Sequence, residues 1–379
     1  MARTDRVVLM VGTRKGGYLL RSDTSRRHWK IGPCIADGSD VYHVTADPRH
    51  PGEFYALANN DFWGPMVLRS TDGGDRWREA PTPRLPRRSQ RTPGMAEGGE
   101  SSPARSVRNL WHLTPGPADR PGTLFLGADP HLLFRSDDHG RSWAEVPGLT
   151  EHPTRDRWNP GAGGPCVHTI LLDPAHPGRL YVGISAAGTF RSDDLGESFR
   201  PVNRGVRADF QPDRYPEVGQ CVHKIALDPR DPQTIYRQDH CGMYVSRDGM
   251  DDGWTDIGRG LPSRFGFGVA TAPALPGRAF FLPLDPQSRT TLGDGLQIYQ
   301  YTDRDHRWRP LIRGNPFPGR HAIHREGLAA DRLDPAGIYL GTTTGRIVWS
   351  ADGGRDWTML PLQFPAIHSV EAFVEGPNR

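Results

Sequence analysis

Six histidines stand close to where a β-strand begins: His43, His112, His168, His223, His324 and His368. A neutral imidazole can shuttle a proton near pH 7 or ligate a transition metal. Several imidazoles converging on one axis would hold a divalent ion, with Zn, Fe and Cu not separable by ligand type. Their spacing to the next turn splits them. His168 and His223 precede Asp173 and Asp228 by five residues, whereas His43 precedes Asp47 by four and His112 sits with His43. Neighbouring strand residues face opposite ways, so the six need not form one ring. For each histidine alone the competing reading is packing, with the ring bonded to nearby backbone. The expected metal set is His168, His223 and His240.

Two carboxylates could act as acid or base beside that set: Glu217, ahead of one strand, and Asp239, in the turn Asp239-His240-Cys241. With His240 they are the expected catalytic residues, although each carboxylate could equally be an ion-pair or turn partner. Cys166 and Cys221 stand two residues before His168 and His223, a spacing that suits a Cys–His nucleophile pair or, as the commoner case, a small buried hydrophobe. Arg14 and Lys15, Asn60 and Trp63, and His43 and His112 are the expected substrate contacts.

The elements that must position these residues come from a repeat. The turn Ser-x-Asp-x-Gly-x-x-Trp is intact at Ser70–Trp77, Ser136–Trp143 and Ser350–Trp357, with Phe199 closing the copy that starts at Ser192. Decayed copies start at Ser22, Ser246 and Tyr301 and lead to Trp29, Trp254 and Trp308. The starts lie roughly 55 residues apart, a blade-sized period. Asp and Ser can bond turn N–H groups, Gly supplies positive φ, and the Trp is expected to pack between blades. Asp72, Asp138, Asp194 and Asp352 are therefore folding residues. Each repeat reads as four short strands, A to D, with the motif joining C to D. The first repeat lacks strand A, and Ala366–Val374 has no repeat of its own. The expected fold is all-β: a seven-bladed β-propeller of four-stranded antiparallel blades, one domain over 1–379, with blade one built from 7–31 plus 366–374.

These motifs resemble the Asp boxes of BNR-repeat propellers in the sialidase-like superfamily. The phrases VGTRKGGYLLRSD, WNPGAGGPCVHTILLDP and YPEVGQCVHKIALDP resemble a bacterial glycosyl-hydrolase-like, BNR-like repeat group. The resemblance implies that the boxes lie on the face opposite the site, which would then carry the D-to-A loops and B-to-C turns. It does not extend to sialidase chemistry: the first strand, VVLMVGTRKGG, lacks the Arg-Ile-Pro start of those six-bladed enzymes. It also embraces photosystem assembly factors, which bind rather than catalyse.

Composition narrows the rest. The chain has 45 Gly and 36 Pro in 379 residues, about a fifth against a usual eighth, scattered as turns rather than gathered in a tract. Net charge is +3, and the one basic run, Arg84–Arg91, reads as a solvated part of the Pro-, Arg-, Ser- and Gly-rich loop 80–108, so no nucleic-acid partner is expected. No apolar run is long enough to span a membrane, and the N-terminus reads as a strand rather than a signal peptide. A cytoplasmic protein is expected. The functional expectation is an enzyme, a hydrolase or lyase acting on a small polar or carbohydrate-like substrate in the central pocket with help from a divalent transition metal. The alternative is a non-catalytic propeller that binds a protein or assembly partner.

Overall fold

In the computed structural model, residues 5–85, 106–159 and 163–376 are described; most of the 80–108 loop lies outside them. The described residues between Arg6 and Glu375 form strands joined by turns and longer connections, one of which carries a short helix at Pro147–Thr150, and the strands form seven four-stranded antiparallel sheets. Blade one begins with the end of the chain: Ile367–Glu375 pairs along Arg6–Thr13, followed by Gly16–Asp23 and Lys30–Ile31. The expected closure therefore holds, and it pairs what would be two open sheet edges. Blade two starts at Asp40–Ala46, blade three at Leu110–Pro115, blade four at Val167–Leu172, blade five at Val222–Leu227, blade six at Gly266–Thr271 and blade seven at Leu328–Ala330. Among the described residues no helix is long and apolar enough to cross a membrane.

The second strand of each blade explains why the ring is stable. Phe54-Tyr55, Leu180-Tyr181, Ile235-Tyr236, Phe280-Phe281 and Ile338-Tyr339 are buried on both faces, because a blade has a neighbour on each side. Alternate residues therefore enter different cores. Phe54 packs with blade one and Tyr55 with blade three, while Phe280 packs with blade seven and Phe281 with blade five. The apolar clusters fill the interfaces between successive blades, including the closing one, where Val7, Leu9 and Val11 meet Tyr339, Ile347 and Trp349.

The box turns are built as their residues dictate. In blade two the Ser70 hydroxyl donates to Asp72 (2.8 Å) and accepts from Gly74 N–H (2.9 Å), and Asp72 accepts from Arg76 N–H (3.0 Å). The same bonds recur from Ser136, Ser192 and Ser350. Gly74 sits at φ +86°, which glycine alone adopts freely. In the decayed copy Met250 takes that place at φ 71° and still donates to Ser246. The aromatic that follows is less uniform than expected. Trp254 is 7% exposed and donates to Val202 O (2.8 Å), whereas Trp77, Trp143 and Trp357 are only partly buried against the blade interfaces.

Candidate functional site

Because strands alternate in direction, C-to-D boxes and B-to-C turns lie on opposite faces. The B-to-C face also receives the start of every inner strand, and there the strands share an irregularity. Pairing between the inner strand and its neighbour skips one residue: Tyr42 in blade two, Trp111 in three, His168 in four, His223 in five and His368 in one. Blade six skips Phe267 and Gly268 against Leu282. A bulge of this kind turns a side chain out of the ladder. Tyr42, Trp111, His168, His223, Phe267 and His368 all line a cavity of ≈ 700 Å³ at this face. The bulge explains the two histidine registers. His168 and His223 occupy bulge positions, while in blades two and three Tyr42 and Trp111 take them and push His43 and His112 one step further along the strand.

On the blade-five side of the cavity three ligating atoms converge. Cys221 Sγ, His223 and His240 each offer one, all within 4.8 Å of one another. The His223 Nδ1–H donates to Gly266 O (2.6 Å), which can only accept, so Nε2 keeps its lone pair; the Cys221 thiol points at it across 3.6 Å. His240 sits in the B-to-C turn between Ile235–Asp239 and Gly242–Ser246, tied to Cys221 O through its own backbone N–H (3.0 Å). Its ring packs on Phe265 and Phe210, with its centroid 5.6 Å from that of His223. Burial, helped by the Arg325 charge, holds His223 well below its ordinary pKa, and burial lowers His240 against the opposing pull of Asp239. Both imidazoles are therefore neutral at pH 7. Burial pushes the Cys221 thiol up, so it stays protonated until a metal or a base takes its proton.

Deeper, a second group is knitted together by charge. His43 Nε2–H donates to Glu371 (2.7 Å) while its Nδ1 accepts from Leu113 N–H (3.3 Å). The His112 ring lies 4.3 Å from that of His43, and its Nδ1 is 3.5 Å from Glu326. Glu326 is paired with the Lys224 ammonium. Burial alone would raise the Glu326 carboxyl, but Lys224 and the two imidazoles hold it well below the usual range. Burial and the neighbouring His43 push His112 down to about 4. The ligating atoms of His43, His112 and Glu326 also lie within 4.8 Å of one another. Lys224 already neutralises that carboxylate, and a cation there would meet its ammonium.

The remaining expected residues fall elsewhere. His168, expected beside His223 and His240, has both nitrogens bonded within the fold, to Thr169 Oγ1 and Val222 O (3.0 Å each), and the converging group has Cys221 in its place. Cys166 is buried, and burial pushes its thiol up to about 12. Asp239 is fully buried and held by Arg237 (2.6 Å), which also bonds Thr189 and Asn203 of blade four, so the pair is spent at the interface of blades four and five. Glu217 is half-exposed, pairs with Arg157 (2.5 Å) and does not line the cavity. Arg14 and Lys15 are exposed in the first turn of blade one, and Asn60 caps its own turn by accepting from Phe62 and Trp63 N–H (2.9 and 3.2 Å). Trp63 is 81% exposed. His43 and His112 belong to the deeper group rather than to the cavity wall.

Sequence reasoning missed Glu326 and Arg325, which enter from the segment before blade seven, and Arg289, from the B-to-C connection of blade six; all three line the cavity. The Cys221–His223 spacing was the one available signal for the thiol.

No family model and no curated protein matches this sequence. Solved structures do. The chain is similar to an ancestral GH74 enzyme at 16% identity and TM-score 0.57, over 84% of this chain and 38% of that one. It is similar to the GH74 enzyme of Niastella koreensis at 15% identity and TM-score 0.54, over 95% and 65%. It thus spans less than two-thirds of either GH74 chain. PorZ, a surface component of the type-IX secretion system of Porphyromonas gingivalis, is similar at 14% identity and TM-score 0.51, over 88% and 35%. At such identities the likeness shows the fold, a β-propeller, and nothing finer.

Proposed function

We propose that this propeller is a metal-assisted enzyme, a hydrolase or lyase, acting on a small polar or carbohydrate-like substrate in the cavity at the B-to-C face. The observation that carries the reading is the group Cys221, His223 and His240 on the cavity wall. Tetrahedral zinc with ordinary Zn–S and Zn–N bonds sets S and N about 3.6 Å apart. The Cys221–His223 separation is 3.6 Å. Gly266 O fixes the His223 tautomer from behind, the outer bond that oriented metal-binding imidazoles usually have. Three protein ligands beside an open cavity are the pattern of catalytic rather than structural sites. A bound ion would polarise a carbonyl or lower the pKa of a water.

The chain's own residues supply the rest. Phe210, Phe265 and Phe267 offer apolar faces that exclude water from one side of a substrate, and Asn159, Gln211 and Thr343 offer polar groups. The GH74 likeness is compatible with a carbohydrate-like substrate. The test is turnover of a panel of small esters and glycosides by tag-free protein. Activity should disappear on chelation, return with one of Zn, Fe or Cu, and be absent from His223→Ala. Turnover indifferent to chelation would overturn the metal's part in the reading.

A second reading, docking of a partner protein, is favoured by Phe62 and Trp63, 91% and 81% exposed in a B-to-C turn of the same face. The likeness to PorZ is compatible with it. Loss of partner binding in Phe62→Ser/Trp63→Ser protein with turnover unchanged would separate the two.

A further inference from the structure

Arg325 crosses the cavity from blade seven to the loop before blade four: a Cβ placed on Gly163 would fall 2.4 Å from its Nη2. Only a glycine lets the guanidinium lie there. Its Cζ stands 6.0 Å from the centre of the Phe267 ring, the outer limit of a cation–π contact. That contact leaves the guanidinium N–H donors without an oxygen acceptor among the described residues. Among the described residues no carboxylate pairs with Arg325, and its Nε is buried without a hydrogen-bond partner. The Ser185 hydroxyl, fully buried and also without a partner, stands 3.2 Å from the same Cβ position.

Of the nearby carboxylates, Glu326 is engaged by Lys224 and Asp239 by Arg237, while Asp129 feels the Arg325 charge from beyond ion-pair distance and accepts instead from Asn109 (3.2 Å). Arg289 adds a second cation to the cavity wall, again with no carboxylate beside it among the described residues. A buried donor edge without an acceptor costs free energy, and a guanidinium edge matches the two oxygens of a carboxylate or phosphate. We propose that Arg325, supported by Arg289, binds the acid group of a small anionic substrate, a carboxylate or a phosphate, and so sets the body of that substrate beside Cys221, His223 and His240. The proposal rests on the cavity being the substrate site, as argued above, and narrows the substrate from polar to acidic.

Calorimetric titration at fixed ionic strength, with galacturonate, galactose 6-phosphate and galactose as probes, tests it. At least one acid should bind tenfold or more tighter than galactose, and which acid does so distinguishes carboxylate from phosphate. Arg325→Gln should abolish the preference, and Arg289→Gln, at an exposed position, should lower it several-fold. If Arg325→Gln does not fold, Gly163→Ala makes the same comparison: it keeps every charge, displaces the guanidinium and should also lose the preference. Equal binding of acid and neutral sugar, binding of none of the three, or a preference that survives in a folded Arg325→Gln protein would overturn the proposal. Metal content read on the same samples separates this failure from failure of the metal reading. Arg325→Gln should retain the ion, and the acid preference should persist in His223→Ala protein.

Discussion

On the box face, Asp72, Asp138, Asp194 and Asp352 each accept from a backbone N–H four residues on, and each Ser hydroxyl closes the turn. In these four turns the Ser and Asp side chains are satisfied within their own repeat, whereas the decayed copy in blade one leaves Ser22 Oγ and Trp29 Nε1 without partners. On the opposite face the bulged residues Tyr42, Trp111, His168, His223, Phe267 and His368 differ from blade to blade, and three polar groups near them lack partners: Arg325 Nε, Ser185 Oγ and Gln220 Oε1. The contrast teaches that a repeated motif in a propeller marks stability. Chemistry belongs where the repeat breaks its own pattern, because there unpaired donors and acceptors lie beside a cavity.

The largest effect should come from breaking the box face where it is most buried. Trp254→Ala removes an indole that is 7% exposed, bonded to Val202 O and 5.4 Å from the Arg237 guanidinium, at a cost of about 3–5 kcal/mol. Trp143→Ala should cost less, about 1–2 kcal/mol, since its ring is only partly buried. Urea unfolding of the two variants measures the gap, and equal costs would show that the turns, not burial, set the stability of a box.

Next is the deeper group, which the account assigns to structure although it resembles a metal site. Glu326→Gln leaves the Lys224 ammonium without its carboxylate and should cost about 3–5 kcal/mol. It should leave metal content unchanged. If the variant instead lost an ion and kept its stability, the two groups would have to exchange roles.

A smaller effect sharpens the same contrast through pH. His112 faces His43, Glu326 and, through them, Lys224 and Glu371, and its folded pKa is pushed down to about 4 by burial first and His43 second. Unfolded histidine titrates near 6.5. Between those values the unfolded chain takes up a proton that the folded chain refuses. Stability from this group is therefore present above pH 6.5 and lost as pH falls toward 4, at up to about 1.4 kcal/mol per pH unit. Glu326 and Glu371, both lowered, begin to lose stability only as pH enters the ordinary carboxylate range, at the lower end of that window. His112→Gln should flatten the decline between pH 6.5 and 4, read from urea midpoints. An unchanged slope would place the titration in other buried imidazoles such as His131.

Much of this was legible in the residues. The box spacing and the orphan strand at the C-terminus carry the seven blades and their closure, since Ser, Asp and Gly have local turn chemistry that survives without tertiary context. The site was legible in part. His223 and His240 do converge, and Cys221 is in register with His223. The bulges were not legible: one skipped residue at a strand entrance changes which side chain faces the axis, and nothing local distinguishes Tyr42-His43 from His168-Thr169. Asp239 looked catalytic because the acceptor of its charge, Arg237, lies two residues back on a strand whose neighbours bury both. Arg325 and Glu326 lie in a connection without strand periodicity, so no pattern aimed them at the cavity.

The central claim is that Cys221, His223 and His240 form a metal site while the deeper histidines do not. Mass-spectrometric metal analysis of tag-free protein, reconstituted with Zn, Fe or Cu and then dialysed, tests it most directly. The account predicts about one ion per chain, lost in Cys221→Ser and in His223→Ala and retained in Glu326→Gln, with the first two variants melting close to the parent. A parent that holds no ion, or a folded His223→Ala protein that keeps one, would contradict it.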